Sequence, residues 1–165
     1  MATIRPATPD DVDDLIRLRL ALKRHIEASN PYVWRIIDEC KECKIQQVNE
    51  MLWDDDGEVL IAEGDGGVIG FAWGHIEDRT RLTPTRIGFI NLLYVDAGYR
   101  RQGIGTHLVE ELCSYFKDWG VEQVSINYIR GNLEAEAFWG KLGFVPVRVS
   151  SNIPLSSLKR SLDNR

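Results

Sequence analysis

The segment Arg86–Val95 constrains the fold more than any other part of the chain, because it is apolar at nearly every position. A strand with one buried face alternates apolar and polar residues, whereas a strand buried on both faces is apolar almost throughout. The segment is also far shorter than the roughly 20 apolar residues of a membrane-spanning helix. It therefore predicts a central strand that is covered on both faces.

Periodicity and turn residues place further elements around this strand. Apolar residues at helical spacing follow Thr8-Pro9-Asp10-Asp11, a typical helix start, and Asp65-Gly66-Gly67 is a typical hairpin turn. The predicted strands cover 2–6, 58–64, 68–77, 86–95, 121–129 and 144–149, and the predicted helices cover 8–26, about 36–52, 103–119 and 132–142. The last 16 residues are compatible with a loop or with a short helix over 155–162.

This order combines an antiparallel hairpin with a strand-helix-strand crossover, and a crossover connects parallel strands. The predicted fold class is α/β of the α+β type, with a mixed, mostly antiparallel central sheet and helices on both faces. A length of 165 residues fits one domain over 1–165.

Composition narrows the function classes. The net charge of -5 disfavours nucleic-acid binding, which uses a basic face. The N-terminus lacks a basic region followed by an apolar stretch, so we expect no secretory signal, no membrane partner and a cytoplasmic location. Cys40-Lys41-Glu42-Cys43 has the spacing of half a zinc site or of a redox pair, but no second pair completes four zinc ligands. We therefore expect two thiols on a helix, no disulfide framework and no metal.

The stretch after the central strand has the character of a phosphate-binding loop. Arg100-Arg101-Gln102-Gly103-Ile104-Gly105-Thr106 leads into a helix, and residues 97–109 contain no acidic side chain. Glycines at a helix start leave the first amides open to an anion. A dinucleotide-binding loop would need a third glycine where Leu108 stands, and a P-loop would need Gly-Lys-Ser/Thr, which is absent. A strand-turn-helix junction with incidental glycines is the remaining alternative.

Three further stretches make the comparison specific. Arg100-x-x-Gly103-x-Gly105 after Leu93-Tyr94-Val95-Asp96 resembles the central strand and pyrophosphate loop of the GNAT (Gcn5-related N-acetyltransferase) superfamily. Asn132-x-x-Ala135-x-x-Phe138-Trp139-x-x-Leu142-Gly143-Phe144 is similar to its second cofactor motif, and Ile4-Arg5-Pro6-Ala7-Thr8-x-x-Asp11 is similar to its opening strand and helix. The resemblance spans nearly the whole chain and is weakest after Val149.

The resemblance implies the acyl-CoA N-acyltransferase fold and direct transfer of an acetyl group from acetyl-CoA to a primary amine. Pantetheine would lie along the main chain of Leu93 and Val95, the Val95 amide would stabilise the oxyanion, and Asn132 would contact the cofactor. The acceptor would be a small-molecule or peptide amine, and a homodimer stays open. The implied cofactor-binding residues are Leu93, Tyr94, Val95, Arg100, Arg101, Gln102, Gly103, Ile104, Gly105, Thr106, Asn132 and Trp139.

The sequence departs from the family at the proton-transfer positions. Trp139 stands where relatives often carry an acidic tyrosine, and an indole N–H does not ionise near neutral pH. Phe89 and Asn127 stand where relatives carry a glutamate base. The remaining candidates are His75, Glu77, Asp78, His25, Tyr94 and Tyr128, of which His75, Glu77 and Tyr94 are retained as candidate catalytic residues. A non-catalytic or regulatory acyl-CoA-binding module of the same fold is the alternative function, and Tyr32 and Trp34 are candidates to line an acceptor site.

Overall fold

A five-stranded sheet carries the fold. The computed structural model describes residues 2–32, 35–37 and 39–163, and within them the strand order is β1-β2-β3-β4-β5. The pairs β1–β2, β2–β3 and β3–β4 are antiparallel, and the pair β4–β5 is parallel. The strands are β1 Thr3–Pro6, β2 Gly57–Gly64, β3 Gly67–Asp78, β4 Arg86–Val95 and β5 Val124–Ile126.

Helices cover both faces of this sheet. They are α1 Val12–Ser29, α2 Lys41–Leu52, α3 Ile104–Asp118, α4 Leu133–Lys141 and α5 Leu155–Asp163. One core cluster joins α1 and α2 to β2 and β3, and includes Leu15, Leu18, Val48, Ile61 and Phe71. The other joins α3 and α4 to β2, β3 and β4, and includes Ala72, Ile90, Leu108, Leu112, Phe116 and Trp139. The predicted fold class is confirmed.

Strand β4 contains a bulge that decides where the sheet opens. Trp73 of β3 pairs with Leu92, but the next residue, Gly74, pairs with Ile90. Asn91 is therefore an extra residue of β4 that has no paired residue on β3. Strand β5 pairs with β4 only over the stretch from Gly88 to Ile90. Beyond Asn91, β4 therefore has no parallel neighbour among the described residues, and its edge is open there.

Several predicted boundaries are wrong. The strand expected over 121–129 is reduced to Val124–Ile126, because β4 leaves its neighbour at the bulge. The strand expected over 144–149 does not form. Val147 is 94% exposed, and Pro146 has no N–H to donate to a ladder. The second helix begins at Lys41 and not near 36, whereas the short C-terminal helix forms as Leu155–Asp163.

The cysteine prediction is also wrong, because Cys40 and Cys43 form a disulfide. Cys40 is not helical. It occupies the N-cap of α2 with extended backbone angles (φ -62°, ψ 157°), so its side chain folds back over the first turn. The two Cα atoms are 5.2 Å apart, a separation that a disulfide spans. The later start of α2 is the physical reason for the pairing.

Candidate active site

The loop between β4 and α3 has two left-handed residues close together. After a short 3-10 turn at Ala97–Tyr99, Arg101 has φ 65° and Gly103, the N-cap of α3, has φ 84°. A left-handed conformation costs an ordinary residue such as arginine roughly 1–2 kcal/mol. This local strain turns the chain sharply at the start of α3.

The backbone amides of this loop are free. None of the described residues accepts a hydrogen bond from the amides of residues 101–106. The first helical hydrogen bond is donated by the His107 amide to the Gly103 carbonyl at 3.0 Å. A Cβ built on Gly103 would meet nothing within 4 Å, so the space beside the N-cap of α3 is open. Consecutive free amides at a helix N-terminus attract an anion.

The open edge of β4 continues directly from this loop. The Asp96 amide donates to the Ile69 carbonyl of β3 at 2.8 Å, which shows that Asp96 points its hydrogen-bonding groups towards β3. Because these groups alternate along a strand, those of Leu93 and Val95 point the other way, to the side that β5 no longer covers. An extended ligand can add to such an edge as a short extra strand.

Arg100 is held away from the free amides. Its Nε donates to the Val95 carbonyl at 2.9 Å, its Nη1 donates to Glu134 of α4, and its guanidinium lies 5.3 Å from the Tyr94 ring centroid. The Arg100 side chain thus joins the end of β4 to α4 and covers the Tyr94 ring. Arg100 therefore fixes the shape of the loop, and its guanidinium is not a further hydrogen-bond donor beside the free amides.

The end of α1 closes one side of the open edge. Asn30 donates from Nδ2 to the Arg130 carbonyl at 2.7 Å, and His25 Nε2 lies 3.5 Å from Glu134 Oε2. Helix α1 lies on one face of the sheet and α4 on the other, so these contacts reach across the gap between β4 and β5.

Two predicted cofactor residues lie on α4. Asn132 is buried and caps the helix, with Oδ1 accepting from the Ala135 amide at 3.2 Å, while its Nδ2 has no partner among the described residues. Trp139 is 6% exposed and packs edge-on against Phe138 and Phe144, with centroids 4.8 and 5.2 Å apart. Asn132 therefore keeps a donor free, whereas the Trp139 ring belongs to the core.

His75 has a partner that sequence reasoning missed. Its Nδ1 lies 2.6 Å from Oδ1 of Asn91, the bulge residue of β4. The rings of Trp73 and Phe89 flank the imidazole, with centroids 6.1 and 5.8 Å away. The available signal was a lone polar residue inside an otherwise apolar strand, but only the pairing register shows where it points.

The other candidates are less constrained. Glu77 lies two residues beyond His75 on the same face of β3 and is half-buried. Tyr32 is exposed, and Trp34 lies outside the described residues. Within the described ranges, no group of three or more His, Cys, Asp or Glu side chains is placed to hold a metal ion. None of the helices in those ranges has the length and apolar character to cross a membrane.

Known proteins resemble this chain throughout the region just described. Residues 24–144 match the model of the acetyltransferase (GNAT) family. An N-alpha-acetyltransferase of Sulfurisphaera tokodaii is 29% identical over 153 residues, covering 88% of this chain and 81% of the relative. An aminoglycoside N(6')-acetyltransferase type 1 of Stenotrophomonas maltophilia is 26% identical over 147 residues, covering 86% of this chain and 85% of the relative.

The fold is shared with solved structures. The crystal structure of a predicted acetyltransferase with acetyl-CoA from Clostridium acetobutylicum superposes with a TM-score of 0.76 at 19% identity, covering 95% of this chain and 98% of that one. Together with the family match over more than half of the residues, this shows that the chain belongs to the GNAT family of acetyltransferases.

Proposed function

We propose that the protein transfers an acetyl group from acetyl-CoA to a primary amine in a ternary complex. The observation that carries this proposal is the row of free amides at residues 101–106, which continues into the open edge of β4 at Val95 and Leu93. The row suits a pyrophosphate and the edge suits an extended, amide-containing arm. Coenzyme A has both parts in that order.

The cofactor contacts follow from this geometry. The amides of 101–106 would hold the pyrophosphate, the main chain of Leu93 and the carbonyl of Val95 would pair with pantetheine, and Asn132 Nδ2 would donate to it. Arg100 and Tyr94 support the cofactor site indirectly. The Arg100 guanidinium donates to the Val95 carbonyl and lies over the Tyr94 ring. Acetyl-CoA supplies an activated acyl group on a thiolate leaving group.

The reaction balances without a covalent enzyme intermediate. The amine lone pair attacks the thioester carbonyl, a C–N bond forms, the C–S bond breaks, and the electron pair leaves with the CoA thiolate. The nitrogen gives up one proton to the thiolate or to solvent. The Val95 amide donates a hydrogen bond to the carbonyl oxygen as it gains charge. Holding amine and thioester together supplies roughly 7–11 kcal/mol of the barrier reduction.

The acceptor class is a small cationic amine. Among the relatives, one is named for N-alpha-acetylation and one for acetylation of an aminoglycoside, and both names describe amine acceptors. The net charge of -5 favours the approach of a cation.

Substitution of Gly103 tests the cofactor site. We expect Gly103→Glu to weaken CoA binding at least about a hundredfold, because a carboxylate would stand where an anion binds. Calorimetry with CoA measures this. Gly103→Ala is the control for backbone strain, since it shares the positive φ of 84° without the charge. Gly66→Glu, in a β2–β3 turn with nothing within 4 Å of a Cβ, is the control for charge alone. Unchanged CoA affinity in Gly103→Glu would contradict the assignment.

Turnover tests the chemistry. Acetyl-CoA is incubated with a panel of di- and polyamines, an aminoglycoside and peptides with free N-termini, and release of CoA thiol is recorded. We expect thiol release and an acetylated product with at least one cationic amine. CoA binding without thiol release for any amine would instead favour the non-catalytic acyl-CoA-binding module.

A further inference from the structure

The contact between His75 and Asn91 fixes which imidazole nitrogen carries the proton. An amide oxygen accepts hydrogen bonds and cannot donate one, so the 2.6 Å contact from Nδ1 to Asn91 Oδ1 requires a proton on Nδ1. In the neutral ring, Nε2 then holds a free lone pair. This is the form of histidine that can take a proton from a substrate.

The bulge is what brings Asn91 to this histidine. Ile90 belongs to the core under α3, whereas Leu92 packs on the α1 and α2 side, although the two are separated by one residue. In a regular strand they would share a face. The strand therefore changes face at Asn91, and the amide reaches His75 on the α1 and α2 side.

A second observation marks the same surface. The indole Nε1 of Trp73, next to His75 on that face, is buried and has no hydrogen-bond partner among the described residues. Buried donors are rarely left unpaired in a native protein unless a ligand or water completes them. The surface around His75 thus has an unused donor and an unused acceptor at the bulge, where β5 stops covering β4.

The groups around His75 come from β2, β3, β4 and the helices α1 and α2. Glu77 lies on the same face of β3, and the Asp78–Arg86 ion pair follows at the strand end, where its two carboxylate contacts are 2.7 and 3.0 Å. On β4 the facing neighbours, Phe89 and Asn91, are uncharged. On β2 the residue paired with His75 is Gly57, which follows the acidic run Asp54-Asp55-Asp56. The core residues of α1 and α2 on this face include Leu18, Val48 and Met51.

We propose that His75 is the general base of the reaction and that Asn91 is the residue that positions it. The inference rests on the proposed acetyltransferase function. His75 Nε2 accepts a proton from the acceptor ammonium, directly or through one water, and becomes an imidazolium. The neutral amine then attacks the thioester, its nitrogen loses a second proton to solvent as the amide forms, and the imidazolium returns its proton to the departing thiolate. Asn91 holds the ring in the required tautomer throughout.

The pH profile of kcat/KM with amines of different basicity tests the base. For the wild-type protein we expect one midpoint that stays the same with every amine. His75→Gln should lower kcat by about 10²- to 10⁴-fold and make the midpoint follow the basicity of the amine. If Glu77→Gln produces that change and His75→Gln does not, the assignment of His75 is overturned.

Two substitutions of Asn91 separate positioning from packing. Asn91→Leu should lower kcat at least about tenfold with unchanged CoA affinity, because nothing then selects the tautomer. Asn91→Asp keeps an oxygen acceptor, so it should recover most of kcat, and its negative charge should move the midpoint to higher pH. A purely structural role would reduce stability in both variants and leave the midpoint unchanged, which would overturn the proposal.

A readout without turnover keeps this inference separate from the proposed function. In protein labelled with ¹⁵N-histidine, NMR distinguishes a protonated Nδ1 from a protonated Nε2. We expect protonated Nδ1 at His75 in the neutral wild-type ring and loss of that preference in Asn91→Leu. A proton on Nε2 would overturn the proposal even if amines are acetylated. Failure of the proposed function appears differently, as absence of thiol release with every amine.

Discussion

At the scale of the residue, Asp11 joins three parts of the chain. Its carboxylate accepts from both terminal nitrogens of Arg5 at 2.9 Å and from the Thr8 amide at 2.7 Å, while Arg5 also reaches Glu63 of β2. The helix start that the sequence predicted at Thr8-Pro9-Asp10-Asp11 therefore also anchors β1 to β2. Because Asp11 is 5% exposed, these contacts are poorly screened by solvent.

The Asp11 network should be visible as acid sensitivity. Hydrogen bonding from Arg5 holds the Asp11 pKa below its ordinary value of 3.8. A lowered folded-state pKa stabilises the protein above the unfolded-state value, and that stability is lost as the pH falls below it. We expect Asp11→Asn to lower the free energy of unfolding by about 1–3 kcal/mol at neutral pH.

Urea denaturation at several pH values measures this difference. It should shrink as the pH falls below about 4, where the wild-type carboxylate also becomes protonated. Asp10→Asn, an exposed neighbour, is the matched control. An equal loss in both variants, or a difference that does not depend on pH, would refute the prediction.

At the scale of the element, α3 approaches the sheet over two glycines. A Cβ on Gly88 would lie 2.6 Å from the Phe116 ring, and one on Gly74 would lie 2.8 Å from it. Phe116 is itself buried at the centre of the core, so the ring has no room to move aside. The two glycines therefore fix the distance between α3 and the pair β3–β4, and with it the position of the phosphate-binding loop.

Filling this contact should destabilise the protein. We expect Gly88→Ala to cost about 1–3 kcal/mol, because overpacking forces the helix or the ring to shift. Thermal unfolding measures the effect. Gly66→Ala is the control, since its Cβ would meet nothing within 4 Å and should leave the midpoint almost unchanged. A Gly88→Ala protein as stable as the control would show that α3 is not seated on the glycines.

The elements also show which parts of the fold are predictable from sequence. The continuous apolar run of β4 and the glycines before α3 are local signals, and both elements form where expected. The alternation of Val145, Val147 and Val149 is equally local, but it says nothing about a partner strand, and none pairs there among the described residues. The role of Asn91 depends on the register between β3 and β4, which no single segment encodes.

At the scale of the whole molecule, the net negative charge should raise kcat/KM for a cationic acceptor. A protein of net charge -5 attracts cations over a distance that salt shortens to about 10 Å at 0.1 M. For a polyamine acceptor we expect kcat/KM to fall several-fold between about 20 and 300 mM salt.

Initial rates for matched acceptors check this expectation. A neutral arylamine should show no comparable decrease, and the affinity for CoA, measured at the same salt concentrations, separates cofactor effects from acceptor effects. If the neutral and cationic acceptors respond equally to salt, the net charge does not guide the acceptor.

The exposed stretch after α4 has a consequence for solubility. Three valines with high β-propensity stand in solvent at alternate positions of 145–149, a pattern that promotes intermolecular strand pairing and aggregation. Pro146 and Arg148 interrupt it, one by removing a main-chain donor and the other by adding charge. We therefore expect these two residues to oppose strand pairing between copies of the exposed segment.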